Sequence, residues 1–241
     1  VERAELVLLT VPDDVLPEIV PGLARLGRWQ PGQIVLHTSG RYGTEVLEPA
    51  ARAGAITLAV HPAMTFTGTS LDLARLSGCP FAVTAAAAML PIAQALVVEA
   101  GGEPVVLDQR VRPTYHAALT HGGNHLVTLV TQAERALQAC GVDDPGALLE
   151  PLLTAALDGA LRSGEGELTG PVVRGDVGSV RAHLAALAGT GQADVVESYR
   201  LLARVTTQRA LASRRITESV AGRLLDVLAA GPGAVAVGGD R

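Results

Sequence analysis

The sequence predicts an α/β fold: a partial, doubly wound parallel sheet over residues 1–111, followed by an all-helical part over 112–230. Three observations predict it. Short apolar runs and helix-spaced segments alternate three times in about the first sixty residues, the pattern of strands joined by right-handed crossovers. From about Arg112 onward that strand signal stops. Apolar residues make up 48% of the chain and aromatics only 2%, so Leu, Val and Ala build the interior.

The elements follow in order. Glu5–Val11 (ELVLLTV) reads as a buried parallel strand. Pro12-Asp13-Asp14 then starts a helix, with Asp13 or Asp14 as its cap. Val15–Leu26 carries helical spacing and stops near Gly27. Ile34–His37 is the second strand, running into Thr38-Ser39-Gly40 and a helix to about Arg52. Ala55–Val60 is the third strand, ending at His61-Pro62. The small-residue loop His61–Thr69 (HPAMTFTGT) leads to a short helix over Leu71–Leu76. Pro80–Thr84 and Pro104–Leu107 are strands flanking a helix over Ala86–Ala100. Helices are expected at about 113–139, 145–161, 177–188 and 193–229, separated by glycine-containing turns. The Gly-rich tail over 231–241 reads as flexible.

Composition excludes several function classes. The net charge of −5 gives no electrostatic reason to expect nucleic acid or an anionic membrane as partner. All 19 basic residues are Arg, so no lysine Schiff base or lysine general acid can come from this chain. Cys79 and Cys140 lie in unrelated contexts, neither a disulfide framework nor a metal cluster. A reducing, cytoplasmic compartment is expected. No signal peptide or membrane span is visible. The first residue is Val and falls at the lead-in to a strand, so the chain reads as lacking an amino-terminal part.

Candidate site residues cluster at strand ends. In open α/β sheets ligands sit outside the carboxyl ends of the strands. Three successive strands here end in TVPDD, HTSG and VHPAMTFTG. Val11 and Pro12 offer a flat, tight turn against which a cofactor can lie, or simply a proline in the first turn of a helix. Ser39 and Gly40 offer a hydroxyl and bare backbone to a ligand, or an ordinary turn. His61, followed by Pro62, is placed to contact a carbonyl or carboxylate, or to hydrogen-bond its own loop.

Pro113–Val130 (PTYHAALTHGGNHLVTLV) joins the two halves and holds three of the six histidines. At roughly 100° per residue, His116, Thr120, Gly123, Asn124 and Val127 share one face. Leu119, Leu126 and Val130 form an apolar stripe. His121 and His125 have the spacing of a metal pair. They lack the zincin glutamate and a third ligand, so they are read as packing or interface residues and no metal is expected. In Leu168–Asp176 (LTGPVVRGD), Asp176 is a helix cap. Arg174 there is either an anion contact or a local partner of Asp176.

The order TVPDD, HTSG, HPAMTFTG, YHAALTHGGNHLV and TGPVVRGD resembles the Rossmann-like oxidoreductases whose carboxyl-terminal helical part is known only as domain of unknown function 2520. The resemblance covers about Glu2–Ala229. More distantly, the layout is similar to the 6-phosphogluconate dehydrogenase superfamily, and HPAM is similar to a segment of prephenate dehydrogenases. The resemblance implies a dinucleotide-binding domain over 1–111, NADP or NAD as cofactor, and a helical domain that forms a homodimer. It places the nicotinamide near Val11, Pro12, Ser39 and Gly40, and the substrate near His61, His116 and Asn124.

Two departures qualify this. The G-x-G-x-x-G loop of such folds is not among these 241 residues, so cofactor binding by this stretch alone is expected to be impaired. Related β-hydroxyacid dehydrogenases use a lysine four residues before an asparagine; here Thr120 stands in that place before Asn124. The expected function is an NAD(P)-dependent oxidoreductase acting on a small, anionic metabolite between the two domains. His116 or His61 would do the proton work, Asn124 would orient, and Thr120 and Arg174 would bind substrate. A non-catalytic nucleotide-binding or regulatory module is the alternative, and a prephenate-dehydrogenase-like enzyme a further one.

Overall fold

The computed structural model describes residues 1–230. The tail over 231–241, read as flexible, lies outside the described residues. The chain forms two compact units, one over Val1–Asn124 and one that begins at His125.

The first unit is built on five strands: β1 (Leu6–Leu9), β2 (Ile34–His37), β3 (Ile56–Pro62), β4 (Pro80–Ala85) and β5 (Glu103–Val106). Their spatial order is β1-β2-β3-β4-β5. The register runs Leu9 against His37 and His37 against Ala59, so β1, β2 and β3 are parallel. β4 is antiparallel to β3, pairing Leu58 with Ala85 and Pro62 with Phe81; β5 then runs parallel to β4. The parallel sheet expected from the alternating pattern therefore holds for the β1–β2, β2–β3 and β4–β5 pairs and is broken between β3 and β4. The connection from β3 carries only a short helix, α3 (Leu71–Leu76), too little for a standard crossover.

Alternating side chains feed two cores. On one face Val7, Leu9 and Val35 pack with Leu16 and Val20 of α1 (Leu16–Arg25), with Trp29, and with Ala50 of α2 (Glu48–Arg52). On the other, Leu36, Leu58, Val60 and Val83 pack with Ala93 and Val97 of α4 (Leu90–Glu99). Helices on both faces make the sheet doubly wound. Among the described residues β1 pairs with β2, and Leu6 and Leu8 are 43% and 54% exposed.

Several local expectations change. α1 begins at Leu16 with Val15 at the cap position and no side-chain cap, so neither Asp13 nor Asp14 caps it. Val15 is held instead by a turn bond from its N–H to the Pro12 carbonyl. β3 extends to Pro62, which places His61 inside a strand, opposite Ala82, rather than in the loop after it. The extra length exists because β4 supplies a partner for both residues.

A 28-residue helix, α5 (Arg112–Ala139), follows β5. Then come α6 (Pro145–Ser163), α7 (Val177–Gly189), α8 (Ala193–Ala212) and α9 (Glu218–Ala229). Asp144 and Asp176 cap α6 and α7 by accepting from Ala147 N and Ser179 N at 3.0 and 2.9 Å. Val172, Val180, Leu184, Leu224 and Leu228 form the core of the second unit. The single helix expected over 193–229 is two. The chain breaks after Ser213, where Arg214 takes φ 58°, and restarts with Thr217 as the cap of α9. Replacing Thr217 with Ala should lower stability by about 0.5–1 kcal/mol in chemical denaturation, since the cap bond to Val220 N is long at 3.4 Å. Among the described residues no helix is long and apolar enough to cross a membrane.

Candidate active site

The parallel strands β1, β2 and β3 deliver their carboxyl ends to one edge of the sheet, the edge that binds ligands in open α/β folds. The turns there are Val11-Pro12, Ser39-Gly40 and the end of β3 at His61-Pro62. Val11 is half-buried and Pro12 exposed, while Ser39 and Gly40 are buried.

His37 ends β2 and is fully buried. Its Nδ1 accepts from Ser39 N–H at 3.1 Å, so its Nε2–H donates to the Gly43 carbonyl at 2.7 Å. Both ring nitrogens are thereby used by the loop that follows the strand. Burial holds this imidazole neutral, with its pKa lowered to about 4. Ser39 closes the same loop, since its Oγ accepts from Arg41 N–H and Tyr42 N–H, both at 3.2 Å.

Gly40 sits at the centre of what the loop presents. A Cβ built there would stand 2.7 Å from His116 Cδ2 and 2.9 Å from His61 Nε2. Glycine is required at this position because two imidazoles occupy the space of a side chain. The rings of His61 and His116 lie edge to face, their centroids 6.0 Å apart. His61 Nδ1 is 2.8 Å from the Tyr115 hydroxyl, in a hydrogen bond that links β3 to α5. Burial first, then the Arg112 charge, lowers the His61 pKa to about 4. Burial also raises the Tyr115 phenol. At neutral pH the pair is thus an uncharged imidazole and an intact phenol, able to share or pass a proton but carrying no net charge.

One fixed charge lies beneath them. Arg112 is 0% exposed. Its Nη2 donates to the Ser39 carbonyl at 2.7 Å and its Nη1 to Thr84 Oγ1 at 3.0 Å, with a longer contact to the Ala82 carbonyl at 3.5 Å. Thr84 Oγ1 in turn donates to the Leu107 carbonyl.

Of the residues singled out in the sequence, the fold thus brings together Gly40, His61 and His116, over the Ser39 turn. Thr120 and Asn124 follow His116 at four-residue spacing on α5, Thr120 half-buried and Asn124 exposed. Gly122 and Gly123 have nothing within 4 Å of where a Cβ would be. Arg174 belongs to the second unit, exposed in the turn before α7. The sequence assigns no role to three residues of the cluster: His37, Arg112 and Tyr115. Tyr115 adjoins His116 in the YHAALT motif, Arg112 opens the helix that carries it, and His37 reads only as the end of a strand. Among the described residues no group of three or more His, Cys, Asp or Glu is placed to hold a metal.

Comparison with known proteins bears on this arrangement. Residues 79–206, more than half of the chain, match the family described as domain of unknown function DUF2520. The chain belongs to the DUF2520 family. In this DUF2520 protein, residues 1–62 also match a Rossmann-like domain. No curated protein matches it. Among solved structures it is similar to a Thermotoga maritima protein, with 22% identity and a TM-score of 0.67 over 86% of this chain and 78% of that one. It is also similar to an imine reductase from Myxococcus stipitatus in complex with NADP+, with 15% identity and a TM-score of 0.62 over 93% and 81% of the two chains. A reductive aminase from Aspergillus terreus, in complex with NADPH4, cyclohexanone and allyl amine, gives 15% identity and a TM-score of 0.59 over 91% and 78%. These likenesses establish the DUF2520 protein's fold as Rossmann-like with a helical second part.

Proposed function

We propose that the protein is an NAD(P)-dependent oxidoreductase acting on a small, anionic metabolite. The observation that carries this reading is the convergence of His61, Tyr115 and His116 over Gly40 at the carboxyl edge of the parallel strands. Fold neighbours in complex with NADP+ and NADPH4 support the choice of cofactor.

The Val11-Pro12 turn, open at the strand end, and the backbone of the Ser39-Gly40 turn would hold the nicotinamide half. They fit it as a flat surface rather than as a hydroxyl donor set, because the Ser39 oxygens are engaged by Arg41, Tyr42 and Arg112. When bound, the nicotinamide supplies or accepts the hydride. The chain's own residues handle the proton. His61, neutral at pH 7, orients the Tyr115 hydroxyl, while His116 exchanges the proton with solvent. Thr120 and Asn124 orient the substrate from the next turns of α5.

Titrating NADPH and NADH into the full-length protein by calorimetry should give saturable binding for one of them. Absence of binding to either would sink the reading. If binding is intact but no metabolite pool takes up label from deuterated NADPH, a non-catalytic nucleotide-binding role is favoured. The missing lysine is what makes that second reading worth testing.

We also propose a homodimer formed through the helices. Leu119, Leu126, Val127 and Leu129 of α5 are 37–63% exposed, and Leu201 and Leu202 of α8 are 61% and 46% exposed. The second unit further holds an open apolar cavity of about 660 Å³ lined by Leu129, Leu149, Val195 and Leu202. So much open apolar surface marks an interaction site. Light scattering should give twice the chain mass; a monomer at micromolar concentration would contradict it.

A further inference from the structure

We propose that Arg112 is a positioning residue: its guanidinium clamps the Ser39-Gly40 turn to β4 and so fixes the floor on which the His61–His116 pair stands. The proposal rests on the oxidoreductase reading only for its effect on turnover; the clamp itself is readable without activity.

The geometry is specific. Ser39, whose carbonyl receives Nη2, is the residue before Gly40. Ala82, whose carbonyl lies 3.5 Å from Nη1, is the register partner of His61 across β3 and β4. One fork therefore spans the residue beside Gly40 and the strand neighbour of His61, the two positions whose separation sets the contact between glycine and imidazole. Thr84 donates its own proton to the Leu107 carbonyl, which leaves its lone pairs for Arg112.

The arrangement is costly. A buried cation is held here by neutral acceptors, and its Nε is buried without a partner. An apolar side chain of similar volume would fill the space with less desolvation, so stability alone does not account for an arginine. The planar fork accounts for it, because a lysine cannot reach acceptors on the Ser39-Gly40 turn and β4 in one plane.

The charge has a second effect. The groups facing His61 are Asp13 from the turn before α1, His37 from β2, and Arg112, Tyr115 and His116 from α5. After burial, Arg112 is the largest influence keeping His61 neutral.

The test uses the whole chain, with histidine ring titrations by NMR and amide exchange over 39–42. Arg112→Gln should raise the His61 midpoint by roughly one pH unit and speed exchange at 39–42 about tenfold. Arg112→Lys should keep the midpoint low while exchange still accelerates, separating charge from clamp. If Arg112→Gln leaves both readings as in the wild type, the proposal is overturned. Should that variant fail to fold, Thr84→Val decides, since it keeps the cation and removes one acceptor. Faster exchange of the Arg41 and Tyr42 amides supports the clamp, and unchanged exchange refutes it. A protein that binds no nicotinamide nucleotide would undo the proposed function while leaving these readings intact.

Discussion

Gly40→Ala is expected to displace the imidazole pair and to abolish most nucleotide-dependent turnover, with a loss on the order of 100-fold. The new methyl would lie within 2.7–3.0 Å of three ring atoms, closer than any carbon can stably approach. His61 cannot simply swing aside, because it is held by the Tyr115 hydroxyl and its strand pairing, so the displacement falls first on the His116 ring. Overpacking of this kind costs about 1–3 kcal/mol. The backbone is not the cause, since Gly40 is not among the residues at positive φ. The readout is the pair of histidine ring resonances together with turnover. Unchanged ring shifts in a folded variant would show that the site relaxes freely, and would remove the reason for glycine at this position.

The second large effect is acid sensitivity set by His37. Its folded-state pKa of about 4 lies below the unfolded value of about 6.5. The unfolded chain therefore binds the proton first as pH falls. The stabilisation is fully present above about pH 6.5, is lost as pH drops toward 4, and changes no further below that. For a fully buried ring the loss approaches roughly 3 kcal/mol, and His61, partly exposed, acts in the same direction. Urea denaturation at steps between pH 7 and 5 should show wild type losing stability faster than His37→Gln. The variant starts from a lower value, because Gln cannot reproduce both the Ser39 and the Gly43 bonds. Parallel curves would mean that His37 does not control this window.

Much of this architecture is legible in the residues, for reasons that also mark the limits. Runs such as Ile34–His37 announce themselves because burial on both faces of a sheet demands continuous apolar character. Asp144 and Asp176 are readable as caps because the chemistry is local. The direction of β4 is not local: nothing within Pro80–Ala85 distinguishes a parallel from an antiparallel partner, and only the short α3 connection hints at it. The break at Ser213–Thr217 hides within helical spacing that continues on both sides. Arg112 is invisible for a different reason. Arginines are mostly exposed, and two of its three acceptors are backbone carbonyls, which leave no residue signature. Gly40 reads in the sequence as a place for ligand approach, whereas its immediate neighbours are two side chains brought from β3 and α5.

The His37 ring has a practical outcome for chemical labelling. It is fully buried, and both of its nitrogens are engaged by the loop that follows β2. A histidine-acylating reagent should therefore leave it untouched in the folded chain and reach it only as the chain opens, so its modification reports unfolding.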